Sequence, residues 1–336
     1  MRKWIALLAA AMLCACCLGL AACGGSSSSS AASGSSASSA SSSGSSSASS
    51  AAASSSAAAS QSSAAQLPSE VYLIGKYIIN ESDGGKRTTA LTFGDRGKQL
   101  TQENEIASTG STIKQAVSFT EWDEFGHPIK GEQTEGLADG ESMTFDVEAS
   151  DLKVNEDGST ASVTQVYTNK NESIGEGEVA SVKRTLTVEY GNDMQVIQKF
   201  TSEVEYLDKS GALLKEAAET KQFDENGLQT SYTYKSKDSG GVYDMTCDIT
   251  WTKDASGKPV SYEFALTENG GDPIKSSGDV TLDESGMISK ISNVKVNGQE
   301  RSTTVEVSYE KIDDPLPGAL EGWKSLPLTD MLFTIE

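Results

Sequence analysis

Few residues of this chain have both the type and the spacing that enzymatic chemistry needs. The sequence has a single histidine, His127, so a Ser-His-Asp or Cys-His arrangement would have to use it. His127 lies between Gly126 and Pro128 beside a predicted turn, and we interpret it as a solvated turn residue. Ser111 and Lys114 match a Ser-x-x-Lys pattern, but serine is abundant in the chain and no Lys-Thr-Gly follows. We therefore predict that the chain is not an enzyme and has no catalytic residue.

Carboxylates are the remaining candidates, because 48 Asp and Glu residues make chance pairs inevitable. Glycoside hydrolysis needs two carboxylates at a defined separation, and no pair in this sequence is marked by its position. A carboxylate-dependent hydrolase therefore stays a second alternative. With one histidine and no available cysteine cluster, the sequence excludes a conventional zinc site. Its Asp-x-x-Gly segments lack the alternating acidic residues of an EF-hand loop, so we predict no metal site and no cofactor.

The first 22 residues have the layout of a secretory signal. The basic residues Arg2 and Lys3 precede an apolar run over residues 4–18, and small residues then lead to a cleavage point. The run is too short to span a bilayer comfortably, because a spanning helix needs ~20 apolar residues. We therefore predict a signal peptide over residues 1–22.

A cysteine stands directly after this leader. Leu20, Ala21, Ala22 and Cys23 resemble the lipobox of bacterial lipoproteins. The resemblance implies that Cys23 receives a diacylglyceryl group and becomes the first residue of the mature protein. Two acyl chains anchor a protein stably, whereas a single chain binds a membrane only marginally. Cys16 is a rival acceptor, and an ordinary secretory signal cleaved near Ala22 is the other alternative.

The segment 24–66 consists almost entirely of Ser, Ala and Gly. Such a composition cannot bury enough apolar surface to offset the entropy of ordering, so we expect a disordered tether. As a flexible coil it would span roughly 35–40 Å. We therefore divide the chain into the signal peptide, the lipidated cysteine with its tether over 23–67, and an exported domain over 68–336. This domain could divide into two sub-domains near residue 191.

The exported domain is strongly acidic. Two of the 27 Lys and Arg residues lie in the leader, which leaves 25 against 48 Asp and Glu and a net charge of about −23. This balance argues against nucleic-acid binding, which depends on neutralising phosphates with Lys and Arg. It also argues against docking of the domain on anionic lipid. The expected partners are the membrane, through Cys23, and a cell-wall polymer, a glycan or a protein.

Alternation of apolar and polar residues predicts β-strands along the whole exported domain. Residues 243–251 alternate strictly between large apolar residues and Asp or Thr, which places Cys247 on the buried face of a strand as a core thiol. The other four cysteines lie in the leader or at the anchor, so no internal disulfide can form. The same period of two recurs at Thr89, Leu91 and Phe93; Ile113, Val117 and Phe119; Met143, Phe145 and Val147; Val182, Leu186, Val188 and Tyr190; Phe200, Val204 and Tyr206; Thr230, Tyr232 and Tyr234; Val260, Tyr262, Phe264 and Leu266; and Val305, Val307 and Tyr309.

The predicted connections share an Asp-x-x-Gly signature. It occurs at positions 123–126, 208–211, 224–227, 254–257 and 283–286, with a variant at 155–158 and a degenerate form at 94–97. Asp at the first position of a turn accepts backbone hydrogen bonds, and Gly takes the left-handed conformation that closes a hairpin. Several of these turns lie 29 or 30 residues apart, which fits a repeated hairpin.

With Trp122 and Phe223 directly before the Asp, these units resemble the YD-repeat (RHS-like) units of bacterial surface proteins. Leu207, Lys253 and Leu282 occupy the aromatic position in the other turns. The resemblance implies sheets and shells built from hairpins, and it names no activity. We predict an all-β fold, an antiparallel meander of repeated hairpins that forms a large twisted sheet, a half-barrel or a sandwich.

These features predict a surface-anchored, non-enzymatic lipoprotein with a binding or structural role at the cell envelope. The alternative is a carrier that holds a lipid or another apolar ligand in a half-barrel. The aromatic side chains that would line its cavity are Phe119, Phe145, Tyr190, Tyr206, Tyr234, Trp251 and Phe264. Residues 212–220 are expected to form a strand or a short helix. The tail, 313–336, is rich in large apolar residues, so we expect it to pack back over an apolar edge or sheet end.

Overall fold

The structure is a computed structural model that describes residues 69–108, 111–136, 142–156, 160–175, 177–191, 197–317 and 328–329. These residues form β-strands joined by short turns. The strands are β1 (Glu70–Asn80), β2 (Lys86–Phe93), β3 (Gln99–Ser108), β4 (Ser111–Trp122), β5 (Pro128–Gly136), β6 (Ser142–Val154), β7 (Thr160–Asn169), β8 (Ser181–Tyr190), β9 (Ile197–Leu207), β10 (Leu213–Phe223), β11 (Gln229–Asp238), β12 (Gly241–Lys253), β13 (Pro259–Glu268), β14 (Ile274–Leu282), β15 (Ile288–Val296), β16 (Gln299–Glu300) and β17 (Thr304–Asp313).

The strands form one antiparallel meander that closes into a barrel. Each strand from β1 to β15 pairs with its successor, and β17 pairs with both β15 and β1. The closing pair places Val71 opposite Ile312 and Ile79 opposite Val305. The ring therefore has 16 strands, with the two-residue β16 attached to β15.

The predicted all-β meander of hairpins is confirmed, and the sheet closes instead of staying open as a twisted sheet or half-barrel. Closure removes the two unpaired edges that an open meander leaves at its first and last strands. Residues 212–220, for which the sequence left a strand or a short helix open, belong to strand β10.

The Asp-x-x-Gly segments form the predicted hairpin turns. In the β12–β13 turn, Asp254 Oδ1 accepts hydrogen bonds from the backbone N–H groups of Ser256 (2.8 Å) and Lys258 (3.0 Å). The N–H of Gly257 donates to the carbonyl of Asp254 at 3.0 Å, and Gly257 has a φ of +83°. Hydrogen bonds from the Ser256 hydroxyl and from the backbone lower the pKa of Asp254. The turns at 123–127, 208–212, 224–228 and 283–287 repeat this pattern, and the variant at 155–158 lies partly outside the described residues.

One end of the barrel carries most of these turns together with the C-terminal tail. Because the chain reverses at every turn, the turns before β3, β5, β11, β13 and β15 lie at the end where β17 finishes, which we call the tail end. There the N–H of Leu316 donates to the carbonyl of Arg96 in the β2–β3 turn at 2.9 Å. Leu316 and Leu328 are buried, so the described part of the tail packs back over this end as predicted. The opposite end is called the far end.

Apolar side chains fill the inside of the barrel in two clusters. The first includes Leu73, Tyr262 and Val305, and its buried members come from β1, β2, β11 to β13, β15 and β17 together with Leu228 and Leu328. The second includes Phe145 and Tyr206, and its members come from β4 and β6 to β10. Among the described residues, β3 and β5 contribute a buried apolar side chain to neither cluster.

Candidate functional site

A row of polar side chains crosses the inner wall of the barrel on strands β2 to β5. Thr89 lies opposite Asn104, Asn104 opposite Gln115, and Gln115 opposite Glu135. The Thr89 hydroxyl donates to Asn104 Oδ1 at 2.8 Å, and Asn104 Nδ2 donates to Gln115 Oε1 at 3.4 Å. These four side chains and the two glutamines described next are named the polar row.

Gln102 and Gln133 lie one inward position further from the far end, on β3 and β5. Both oppose Val117, a member of the second apolar cluster, so both point into the barrel. Gln133 is fully buried and Gln102 is 2% exposed. Neither Oε1 nor Nε2 of Gln133 has a hydrogen-bond partner among the described residues, and the same is true of Oε1 of Gln102. Buried side-chain polar atoms in folded proteins are nearly always paired, so these atoms require an explanation.

Glu135 is the ionisable side chain of this row, and it too is fully buried. Neither of its carboxylate oxygens has a partner among the described residues. Burial alone raises the pKa of Glu135 to about 8, so the carboxyl group is mostly protonated at neutral pH. A protonated carboxyl can donate one hydrogen bond and accept others, which makes Glu135 a neutral, two-way hydrogen-bonding group.

The backbone of β5 fits this arrangement through Gly131. Gly131 lies opposite Phe119 of β4, and a Cβ atom at this position would lie 2.4 Å from the carbonyl oxygen of Ser118 and 3.0 Å from the Phe119 ring. The missing side chain thus makes room for Phe119 one inward position from Gln133. From Gly131 to Glu135, the inner face of β5 therefore consists of a glycine, an amide and a carboxyl.

The ionised groups near the row are paired. Arg87 lies on β2, one inward position from Thr89 toward the far end, and its Nε forms an ion pair with Glu81 Oε1 at 2.8 Å. Burial lowers the pKa of Arg87, while its partner Glu81 opposes that shift. Further round the wall, Arg184 Nε donates to Ser202 Oγ at 3.0 Å, and its Nη2 lies 3.9 Å from Glu219 Oε1. Both arginines thus have a carboxylate nearby. Five of the unpartnered buried polar atoms among the described residues lie on β3 and β5, and others, such as Ser276 Oγ, lie elsewhere in the barrel.

His127 is not the solvated turn residue that the sequence indicated. It is 3% exposed, and its Nδ1 lies 2.8 Å from Asp123 Oδ2. The tail explains the burial of this turn, because a Cβ at Gly126 would lie 2.9 Å from the side chain of Leu316. Asp123 also accepts the backbone N–H of His127, so the pair is built into the hairpin turn.

The other residues singled out from sequence have mixed outcomes. Cys247 is buried as predicted, and burial, with a smaller effect of Asp248, raises the pKa of its thiol to about 12. Cys23, the predicted lipidation site, lies outside the described residues. Within the ranges that the structure describes, no group of three or more His, Cys, Asp or Glu residues is placed to hold a metal ion. None of the described residues forms a helix with the length and apolar character needed to cross a membrane.

No pattern in the sequence indicates the polar row. The predicted strands were those with apolar inner faces, whereas β3 and β5 present Gln102, Asn104, Gln133 and Glu135 to the inside. The available signal was indirect. A meander needs a strand between the turn at 123–127 and the alternating residues 143–147, and its inward positions are then fixed by period two.

Comparisons with known proteins find a likeness among solved structures alone. No protein-family model matches the chain, and no curated protein matches it. Among solved structures it is similar to a porin-like protein from Bacteroides vulgatus, with 11% identity, 70% of this chain and 98% of that chain covered, and a TM-score of 0.36. It is also similar to a porin-like protein from Bacteroides uniformis, with 13% identity, the same coverage and a TM-score of 0.34. Likeness at these TM-scores carries no argument about function.

Proposed function

We propose that this chain is a membrane-tethered, non-enzymatic binding protein that holds a small ligand at the polar row inside its barrel. The observation that carries the proposal is the pair Gln133 and Glu135, whose side chains are fully buried and unpartnered among the described residues. Leaving such groups unsatisfied in the absence of water costs ~1–3 kcal/mol each. Because both side chains are fully buried, a ligand would reach them only when the barrel wall opens, and the hydrogen bonds that it supplies would then recover this free energy.

The anchor in this proposal is Cys23, which the lipobox resemblance marks as the site of acylation. The segment 24–66 would then serve as a flexible tether between the membrane and β1. Strand β1 begins at the tail end, where Glu70 lies opposite Asp313 of β17. Attachment at this end would keep the tether away from the far end, toward which Glu135 lies.

The outer wall of the barrel supports anchoring by lipid and not by the strands. Six threonines on consecutive strands form one row on the outer face, and charged pairs such as Lys183 with Glu205 flank it. A barrel wall that spans a membrane carries an apolar outer band instead. The threonines of this row are Thr187, Thr201, Thr220, Thr233, Thr246 and Thr267.

The alternative of an apolar-ligand carrier finds less support. Of the aromatic side chains that would line its cavity, Phe145 and Tyr206 are fully buried in the second apolar cluster. Phe264 stacks on Tyr262 with ring centroids 6.1 Å apart. These rings contact other protein side chains, so we place the ligand at the polar row and not among the aromatics.

Anchoring is tested by labelling cells with an alkyne fatty acid and following the chain in the membrane fraction. We expect Cys23→Ala to abolish labelling and to release the chain from membranes. Cys16→Ala is the matched control and should keep both the fatty-acid label and the association with membranes. Labelling that persists in Cys23→Ala and disappears in Cys16→Ala would move the anchor to Cys16.

Binding is tested by native mass spectrometry of the mature chain extracted from its own cells. We expect an added non-protein mass on the wild type that is absent from Gln133→Met. Identical ligand-free masses for both proteins would contradict the binding function. A bound lipid that survives Gln133→Met would favour the apolar carrier. Hydrolytic turnover that Glu135→Gln abolishes would favour the hydrolase.

A further inference from the structure

We propose that the barrel wall opens between β15 and β17, and that the interior becomes accessible at this seam. The opening does not depend on a ligand, so it goes beyond the proposed function; only the use of the seam as a ligand entrance rests on that function. Three features of the structure support the seam: the short pairing of the two strands, a bulge in β15, and the position next to the polar row.

The ladder between β15 and β17 is the shortest in the ring. Although all residues of both strands are described, they pair at only two positions, Lys290 with Glu306 and Ile291 with Val305. In contrast, β17 pairs with β1 along its whole length. Among the described residues, the next shortest ladder of the ring, between β1 and β2, has five paired positions. Local opening is easiest where few backbone hydrogen bonds must break, so the ring is weakest at this seam.

A bulge in β15 explains why the ladder ends. Asn293 has a φ of +52°, and the register between β14 and β15 shifts at this point. The side-chain amide of Asn293 donates to Asp279 Oδ2 on β14 at 2.7 Å, which holds the bulge in place. Beyond the bulge, Val296 of β15 pairs with Gln299 of β16 and not with β17. The far-end part of β15 therefore adds no paired residue to the seam.

Side chains keep the seam closed in the structure. Ile291 and Val305 are fully buried in the first apolar cluster. Across the seam, the Tyr309 hydroxyl donates to the carbonyl of Ile288 at 2.9 Å. Opening must expose these groups, so the closed barrel is the main state and the open seam is a minor, transient state.

The seam lies next to the polar row. Around the ring, β17 is followed by β1 and then by β2, which carries Thr89. Val305 pairs with Ile79 of β1, and Ile79 pairs with Arg87, one inward position from Thr89. Two strand spacings of ~5 Å place β2 about 10 Å from β17. An open seam therefore exposes the side of the interior on which the polar row begins.

Cysteine labelling in the absence of urea tests the opening. Val305→Cys places a thiol at the seam, and Val204→Cys is the matched control, because Val204 is buried on β9 between two long ladders. The native, buried Cys247 is an internal reference for global unfolding in both variants. We expect a maleimide to label the thiol introduced by Val305→Cys at least tenfold faster than Cys247. The thiol introduced by Val204→Cys should react as slowly as Cys247.

A disulfide across the seam gives a second measurement that leaves the core unaltered. Lys290 and Glu306 are exposed and directly opposite each other, at a separation that a disulfide can span. We expect oxidised Lys290→Cys/Glu306→Cys to slow amide hydrogen exchange at the seam at least tenfold relative to its reduced form. Thr233→Cys/Thr246→Cys joins β11 to β12 in the same way, and its oxidation should leave exchange at the seam unchanged.

The seam and the proposed function fail separately. Equal labelling rates for Val305→Cys and Val204→Cys, or exchange at the seam that the Lys290→Cys/Glu306→Cys disulfide does not slow, would overturn the opening. Fast labelling of the Val305→Cys thiol on a chain that carries no ligand mass would leave the seam standing and contradict the binding function. A bound ligand together with equally slow labelling would keep the binding function and remove the seam as an entrance.

Discussion

Thr329 is held inside the barrel by the side-chain amide of Gln229, 100 residues away in the sequence. Gln229 Nε2 donates to Thr329 Oγ1 at 2.8 Å, and Gln229 Oε1 accepts the backbone N–H of Thr329 at 3.1 Å. Gln229 begins strand β11, and its carbonyl accepts the indole N–H of Trp251 at 2.7 Å. The contact therefore joins the C-terminal tail to the barrel wall at the tail end.

We predict that Thr329→Val destabilises the protein by ~1–3 kcal/mol, because it leaves the buried amide of Gln229 short of a partner. Urea denaturation followed by tryptophan fluorescence measures the change. Thr233→Val, in the threonine row on the outer face, is the control, and its free energy of unfolding should stay within ~0.5 kcal/mol of the wild-type value. Equal effects of the two substitutions would mean that the tail contact does not stabilise the barrel.

Glu135 should make the stability of the ligand-free protein fall as the pH rises. The folded chain keeps this carboxyl protonated up to about pH 8, whereas in the unfolded chain it titrates near its ordinary pKa of 4.5. Between these values the folded state holds the extra proton, so the free energy of unfolding decreases with pH. At ~1.4 kcal/mol per pH unit, the loss is on the order of 4–5 kcal/mol by pH 8.

Urea titrations of the wild type and of Glu135→Gln at pH 5, 6.5 and 8 test this dependence. The variant has no titrating group at this position, so its free energy of unfolding should lack this part of the decline with pH. Its free energy of unfolding should exceed that of the wild type most clearly at pH 8. Glu103→Gln, on the outer face of β3, should follow the wild type. Parallel pH profiles for Glu135→Gln and the wild type would show that Glu135 is ionised in the folded protein.

The hairpin turns should depend on glycine through the backbone alone. Gly257 has a φ of +83°, and a Cβ there would meet no atom within 4 Å. We predict that Gly257→Ala lowers the free energy of unfolding by ~1–2 kcal/mol, because alanine is strained in the left-handed conformation. A steric clash of the new methyl group should not contribute. Gly175→Ala, at a position without positive φ, is the control in a denaturation experiment. A neutral Gly257→Ala would mean that this turn can adopt another conformation.

These turns were the most predictable part of the fold. Asp254 and Gly257 determine the conformation of their turn within five residues. The alternation around Cys247 likewise predicts a strand without reference to the rest of the chain. Closure of the barrel was not predictable in the same way. Nothing local to Val71 identifies Ile312 as its partner, because pairing across most of the chain depends on the total number and curvature of the intervening strands.

The candidate site could not be predicted from the sequence for a related reason. An inward Gln133 or Glu135 looks like a solvent-facing residue in the sequence, because period-two patterns identify the inner face by its apolar residues. His127 was misassigned because its burial comes from a tail almost 190 residues later in the chain. Both errors concern polar residues that are buried by distant segments.

Cys247 should be unreactive in the folded protein. Its thiol is buried and its pKa is raised to about 12, so very little thiolate exists at neutral pH. We predict that a maleimide reagent labels Cys247 only as urea unfolds the chain, with a midpoint that coincides with the fluorescence transition. Prompt labelling in the absence of urea would show that the β12 wall opens locally.

The central claim is that Gln133 and Glu135 are completed by a ligand inside the barrel. It is tested most directly by a high-resolution crystal structure of the mature chain purified from its own cells. We predict density for a non-protein, non-water molecule within hydrogen-bonding distance of Gln133 Nε2 and the Glu135 carboxyl. Side chains that hydrogen-bond only to each other or to ordered water would contradict the claim.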